Sequence, residues 1–456
     1  MIPLTHMSGQ TIGVFGLGQT GLPTVQALLE GGARVIAWDD NEAARMGLDP
    51  DFLIPVEDWP WAEMSRMVLS PGVPFTHPEP HAVVLAAGEA NVPVIGDVEL
   101  FWREVRSTPN VRFVGITGTN GKSTTTALLH HGLKEAGYNV QMGGNIGRGV
   151  FDLDPPGENT IYVLELSSYQ LDLIVDFEPD IAILLNLSPD HIDRHGDFAG
   201  YVAAKMRLFA SMDETSICIV GQDDEPSQDC TKRLIAQGLT VTPISGQEVQ
   251  PKGISATAGL LAEKGRAVAD LSSIATLQGQ HNWQNAAAVY AALRALGLSQ
   301  GQATKGFASF PGLPHRMEPV AVIGGVHYIN DSKATNADAT APALKTFDRI
   351  RWIAGGREKE GGIEGLAPHF GKIIKAYLIG EAAENFAATL EPYVPVEISG
   401  TLPRAFIAAS EEARPGETVL LAPACSSFDQ FESFERRGNA FRALTVSLAD
   451  RSGEAA

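Results

Sequence analysis

Positive charge is scarce in this chain. Its 34 lysines and arginines face 54 acidic residues, for a net charge of −20. That balance argues against a nucleic-acid partner, because phosphate backbones are bound by clustered Lys and Arg. Anionic small molecules remain possible where local cations and helix N-termini receive them. Cysteine is nearly absent as well: Cys218, Cys230 and Cys425 have no metal-ligand spacing and cannot all pair, which fits a reducing compartment. Long apolar runs are missing. IAILLNL at 181–187 is far shorter than the roughly 20 residues that cross a bilayer. The opening MIPLTHMSGQTIGVFGLG has no basic leader followed by a cleavage site. The expectation is a cytoplasmic protein, neither exported nor inserted in a membrane.

What is present is alternation. At 456 residues the chain has room for about three domains, and strand-like runs buried on both faces alternate with helical segments throughout. The fold class expected is α/β, with three domains each built on a mainly parallel sheet. Residues 1–108 form a Rossmann-like unit that begins TIGVFGLGQTGLPTVQALLEGGARVIAWDD. Residues 109–312 form a mononucleotide-binding unit with strands RFVGIT, TIYVLELSS, DIAILLNLS and SICIVG. Residues 313–456 form a second Rossmann-like unit with strands RIRWIAGG, AYLIG and TVLLAPA. The Thr-, Gly- and Ser-rich stretch 240–278 suggests a small antiparallel insert, and SFPGLPHRME a hinge at 310–315.

Two glycine-rich turns carry the strongest chemistry. GITGTNGKST at 115–124 places Gly118, Thr119, Asn120 and Gly121 between a strand and a helix beginning at Lys122. Glycines let backbone N–H groups face phosphate oxygens, and the helix N-terminus adds favourable potential. Lys122 is expected on the β- and γ-phosphates, and the Ser123 hydroxyl on Mg²⁺. The loop is a variant, since Ile116 stands where the usual pattern has its first glycine. GLGQTG at 16–21, followed by Asp39, is a dinucleotide fingerprint. Alone it would also suit a nicotinamide enzyme. A separate ATP loop follows and no hydride-transfer site is evident, so it reads as the site of a nucleotide substrate.

Other candidates are weaker singly. Glu165 ends a strand and His191 follows one, in the region where doubly wound sheets gather ligands. Each alone could be a loop carboxylate or a turn residue. Lys205 in GYVAAKMRLF is by itself a surface or salt-bridged lysine, and HNWQN at 281–285 a helix start.

Together GTNGKST, LELSSYQL, DHIDRHG, the KMRLF lysine, HNWQN and the PHR arginine resemble the Mur ligases along essentially the whole chain. The loop SPGVP at 70–74, NDSKATN at 330–336 and APACSSFDQFESFERRG at 422–438 resemble the D-glutamate-adding branch. The resemblance implies a monomeric enzyme that joins D-glutamate to UDP-N-acetylmuramoyl-L-alanine through an acyl phosphate, with ATP as co-substrate, two Mg²⁺ ions and a carbamylated lysine. It implies that Gly16, Gly18, Asp39, Ser70 and Gly72 hold the UDP portion, with Asn145 and His191 near the muramoyl-alanine end. Lys122, Ser123 and Thr124 would bind ATP phosphates, with Asn282, Asn285, Arg316 and Asp331 around the rest of the nucleotide. Ser123 and Glu165 would hold one Mg²⁺, and His191 with carbamylated Lys205 the other, so that Lys122, Glu165, His191 and Lys205 form the catalytic set. Lys333, Thr335, Lys359, Ser427 and Phe434 would form the D-glutamate site. GGREKEGG at 355–362 keeps Lys359 but places Glu360 and Gly361 after it, where the family more often has glycine and a small residue.

Overall fold

The computed structural model describes residues 1–358 and 361–452. Short β-rich runs have folded into three separate sheets. The first has four parallel strands in the order Arg34–Trp38, Thr11–Phe15, Met64–Leu69 and Val94–Ile95. The second has nine, in the order Arg266–Asp270, Leu260–Glu263, Ile254–Thr257, Thr240–Ser245, Ile217–Gly221, Ile181–Leu184, Arg112–Thr117, Ile161–Glu165 and Val140–Gly144. The third has six, in the order Glu318–Ile323, Val326–Asn330, Thr418–Leu421, Ile350–Gly355, Ile373–Ile379 and Val396–Gly400. Parallel pairing dominates each sheet, as the strand–helix alternation predicts.

The stretch expected as a small antiparallel insert is antiparallel only in its outer part and extends the second sheet. Thr240–Ser245 pairs parallel to Ile217–Gly221, and Ile254–Thr257 pairs parallel to Thr240–Ser245. Only the last two pairings, out to Arg266–Asp270, are antiparallel. Tight turns such as Ala258-Gly259 and Lys264-Gly265, all four at positive φ, allow that meander.

The chain divides into two compact units. One comprises Met1–Asp270 with Asn282–Phe310, and the other Leu271–His281 with Pro311–Ala456. Within the first unit, the helix Asp97–Val105 ties the four-stranded sheet to the nine-stranded one. Its Phe101 sits edge-on to Phe113, Phe151 and Tyr162. Burying such a ring is worth about 1.5–3 kcal/mol. Glu99 on the same helix is fully buried, and its carboxylate accepts from the backbone N–H groups of Val175, Asp176 and Phe177 and from Arg103 Nε. A buried anion stands there because its oxygens are saturated with donors. Among the described residues no helix is long and apolar enough to cross a membrane.

In the second unit two apolar clusters cover the faces of the six-stranded sheet, one around Trp352 and Phe370, the other around Tyr377 and Phe441. The segment 310–317 is locally fastened. Leu313 and Arg316 form a β-bridge, and the His315 N–H donates to Glu318.

Candidate active site

The carboxyl ends of the strands Arg112–Thr117, Ile161–Glu165 and Ile181–Leu184 converge on the loop 118–121. Gly118 (φ 147°) and Gly121 (φ 86°) occupy backbone conformations that L side chains rarely adopt. A Cβ at Gly121 would also lie 2.3 Å from Asn285 Oδ1. Asn285 in turn donates to Asn282 Oδ1 at 3.2 Å, one turn earlier on the helix Gln280–Ala295. Of the two asparagines expected at the nucleotide, Asn285 therefore sits against the loop expected to hold its phosphates and Asn282 is bonded to it.

Asn186, which sequence reasoning missed, clamps the same loop. Its carbonyl accepts from Thr119 N, its Oδ1 accepts from Asn120 N at 2.9 Å, and its amide donates to Asn120 O at 3.1 Å. The Lys122 ammonium folds back to donate to Gly118 O and Thr119 O, both at 2.9 Å.

Lys205 is no surface lysine. It is 1% exposed, and its Nζ donates to the same Gly118 carbonyl at 2.9 Å and to Thr117 Oγ1 at 3.3 Å. Burial, with Lys122 adding like-charge repulsion, pulls its ammonium well below the usual lysine range against the opposing pull of Asp190 and Glu165. The amine is thus biased toward its neutral, nucleophilic form.

Glu165 is buried and ends its strand. Asn145 Nδ2 donates to its Oε1 at 2.8 Å, and Asn145 N to its backbone carbonyl at 2.8 Å. Gly144 (φ 94°) permits that approach, since a Cβ there would stand 2.4 Å from Glu165 O. Glu165 Oε2 is buried with no hydrogen-bond partner. An orphaned carboxylate oxygen is a hard anionic donor of the kind Mg²⁺ takes, so this residue fits the cation that the sequence implies. Among the described residues there is no cluster of three or more His, Cys, Asp or Glu.

His191 adopts φ 51°, a left-handed conformation that costs a non-glycine residue energy. Its Nδ1 is 2.8 Å from the Tyr169 hydroxyl, leaving Nε2 on the side of Asp190 at 3.5 Å. Arg194 stacks over Tyr169 at 4.4 Å and donates to the carbonyls of Pro71, Gly72 and Val73 at 2.9–3.2 Å. The loop expected to hold the UDP portion is thereby fastened to the loop bearing His191. Neighbouring His195 is buried against Ser168 Oγ at 3.0 Å, and burial pushes its imidazole down to about 4, so it is neutral at ordinary pH.

At the first glycine turn, Ser70 Oγ donates to Gly16 O at 2.6 Å, and a Cβ at Gly16 would meet Ser70 Cβ at 2.6 Å. Gly18 faces open space. Both Asp39 oxygens accept backbone N–H groups, from Leu17 at 2.6 Å and Asn41 at 2.8 Å. Asp39 thus shapes the turn itself, in addition to any contact with a sugar.

The second unit holds Arg316, Asp331 and the residues expected at the amino acid, so the expected ATP set is divided between the units. Asp331 is buried and its Oδ1 accepts from Met317 N at 3.0 Å; burial pushes its carboxyl up to about 7, against the pull of Arg316. Lys333 Nζ stands 4.6 Å over the Phe434 ring, Ser427 is buried and Thr335 half-buried. Lys359 lies outside the described residues.

Known proteins carry the same pattern. Residues 116–293 match the Mur ligase middle domain, and 315–425 match the Mur ligase glutamate ligase domain. A UDP-N-acetylmuramoylalanine--D-glutamate ligase of Phenylobacterium zucineum is 48% identical, with all of both chains covered. Its counterpart in Rhizobium etli is 51% identical over 98% of this chain and 97% of that one. Among solved structures, the UDP-N-acetylmuramate-alanine ligase of Thermotoga maritima shares the fold with a TM-score of 0.59 at 16% identity, covering 96% of this chain and 99% of that one. The MurF ligase of the same organism, in complex with ADP, likewise has a TM-score of 0.59 at 16% identity, covering 98% of each chain.

Proposed function

The chain belongs to the Mur ligase family, and we propose that within it the protein adds D-glutamate to UDP-N-acetylmuramoyl-L-alanine with cleavage of ATP to ADP and phosphate. The observation that carries this is full-length identity near 50% to relatives that bear that name. The buried, unpartnered Glu165 oxygen beside the variant phosphate loop supports it chemically.

A carboxylate is a poor electrophile because its leaving group would be oxide. Transfer of the γ-phosphoryl group to the L-alanine carboxylate makes an acyl phosphate and releases ADP. The D-glutamate amine then attacks the acyl carbon, the amine proton is lost, and the tetrahedral intermediate expels phosphate. Several anions must be crowded together, so counter-charge aimed at the developing charge does most of the work.

Lys122 would leave the Gly118 and Thr119 carbonyls for the phosphates, while the N-terminus of the helix Lys122–Glu135 would receive their oxygens. Ser123 and Glu165 would hold one Mg²⁺, and His191 with the Lys205 carbamate a second. The ions would supply electrostatic neutralisation of the transferring group. The carbamate forms when the neutral Lys205 amine adds to CO₂ and gives up a proton. It would replace a cation by two hard oxygen donors. Asn145 orients Glu165, and Arg194 keeps the 71–73 loop beside the His191 loop. In the second unit Lys333, Thr335, Ser427, Phe434 and Lys359 would hold D-glutamate. The enzyme would act in the cytoplasm, as a monomer, in synthesis of peptidoglycan precursors.

Phosphate release measured with UDP-N-acetylmuramoyl-L-alanine, Mg²⁺ and each candidate amino acid in turn tests the proposal. D-glutamate alone should support turnover. Equal rates with L-glutamate, L-lysine or diaminopimelate would remove the substrate assignment.

A further inference from the structure

Arg437, on the helix Phe434–Ser452, is 1% exposed. No carboxylate pairs with its guanidinium among the described residues. Nε donates to Ser332 Oγ at 3.0 Å, Nη2 to Ser332 O at 2.9 Å and to Cys425 O at 3.0 Å, and Nη1 to Ser426 O at 3.3 Å. Carbonyls satisfy N–H groups but do not cancel a unit charge. Burial pulls the guanidinium down to about 10, which still leaves it charged at neutral pH. Asp429 pulls the other way from beyond bonding distance, and a buried cation with no bonded counter-ion is still costly, so its presence calls for a reason outside the packing.

The four bonds supply one. They reach into the two segments that lead to Lys333 and Ser427, and those segments bond onward to others. Ser332 precedes Lys333, and its hydroxyl also donates to Phe434 O at 2.8 Å. Cys425 and Ser426 precede Ser427. The Ser426 carbonyl also accepts from Arg357 N at 3.0 Å, and Ser426 N donates back to Arg357 O at 3.0 Å, on the strand-end loop that leads to Lys359. Gly356 (φ 134°) makes room, because a Cβ there would lie 2.3 Å from Ser426 O and 3.2 Å from Arg437 Nη1. Segments far apart in sequence are thus indexed to one planar fork.

We propose that Arg437 is the positioning residue of the amino-acid site, setting the register of the segments that bear Lys333, Ser427 and Phe434 and lending the site a positive charge, bonded to no carboxylate among the described residues, that favours an amino acid with a second carboxylate. This rests on the D-glutamate assignment above. An incoming side-chain carboxylate is attracted by that charge, whereas a neutral side chain is not.

The test compares wild type with Arg437→Gln and Arg437→Lys in two assays. One titrates D-glutamate, ATP and the UDP substrate in phosphate release. The other replaces D-glutamate by hydroxylamine, a neutral nucleophile that traps the acyl phosphate as a hydroxamate. Arg437→Gln should raise the KM for D-glutamate about tenfold or more, the scale of one lost charge-assisted contact. Its KM for ATP and its hydroxylamine-supported turnover should stay within about twofold of wild type, and Arg437→Lys, which keeps a cation but not the fork, should fall between. Equal losses in both assays would reduce Arg437 to a structural clamp and overturn the proposal, as would an unchanged KM for D-glutamate. If Arg437→Gln does not fold, the same two outcomes in Arg437→Lys decide. A wild-type enzyme that shows no preference for D-glutamate would bring down the substrate assignment instead, before any variant is compared.

Discussion

Lys205 in the first unit and Arg437 in the second are each 1% exposed, and neither has a carboxylate within bonding distance among the described residues. Both direct their N–H groups at backbone carbonyls and hydroxyls. The same burial has opposite consequences. An ammonium can release its proton, and burial pulls this lysine toward the neutral amine. A guanidinium does not, so the arginine remains a fixed positive field. One buried cation can shed its charge, the other keeps it.

Exchanging the two chemistries should break the comparison most visibly at Lys205. Lys205→Arg cannot form a carbamate and should lose about 10²–10³-fold in kcat, the scale of removing a preorganised electrostatic group. Lys205→Ala should lose as much but recover partly with a short carboxylic acid, which Lys205→Arg should not. Full activity of Lys205→Ala in carbon-dioxide-free buffer would return the residue to a packing role.

The next largest effect concerns the anion expected to face the metal. Asn145→Ala frees Glu165 Oε1 from its only described side-chain donor. It should raise the Mg²⁺ requirement roughly 10- to 100-fold, as loss of a supporting hydrogen bond to a ligand does. A Mg²⁺ titration of phosphate release reads this directly, and an unshifted curve would separate Glu165 from the metal.

Arg194 offers a third cation, half-buried, whose carbonyl partners belong to the other glycine-turn region. Arg194→Gln should raise the KM for the UDP substrate about tenfold, since hydrogen bonds to a charged group contribute about 1.5–3 kcal/mol. The KM for D-glutamate should stay near wild type. A change confined to D-glutamate would contradict the assignment of the 70–74 loop.

The smallest effect uses a buried anion as the mirror case. Asp97 is buried with Oδ1 unpartnered, and burial pushes its carboxyl up to about 6. The folded state then binds a proton that the unfolded chain, near 3.8, has already released. Stability from this group is therefore fully present below about pH 4 and lost as pH rises through 6. Asp97→Asn should flatten that slope, and at pH 7.5 raise the apparent Tm by roughly 2–4 °C for each kcal/mol recovered. A wild-type-like pH profile of thermal stability would show that Asp97 is solvated.

Much of this was legible in the sequence because its causes are local. Alternating strands and helices, the glycines of 118–121 and the strand-end position of Glu165 all follow from a few neighbouring residues. Asn186, Arg194 and Arg437 were missed because their partners are backbone atoms far along the chain, and a carbonyl has no sequence signature. Lys205 looked like a surface lysine because its helix has too few turns for periodicity to reveal the buried side. At 240–278 the turn residues were visible, but the parallel pairing of Thr240–Ser245 with Ile217–Gly221 is a long-range choice that composition does not encode. Asp39 was expected at the UDP portion, and its place after the glycine turn also serves the backbone of that turn.

The division of the chain bears on how the protein is made. Translation completes Asp270 of the first unit, then lays down Leu271–His281, which belongs to the second, before returning with Asn282–Phe310 to finish the first. A nascent chain released at 270 lacks Asn282 and Asn285 and so cannot brace the Gly121 turn. A fragment started at 311 lacks the stretch in which Gln280 bonds Lys345 at 3.2 Å and Gly279 packs against Thr346. No single cut yields both units whole, and on the ribosome the first unit must wait while part of the second is already waiting for partners not yet synthesised.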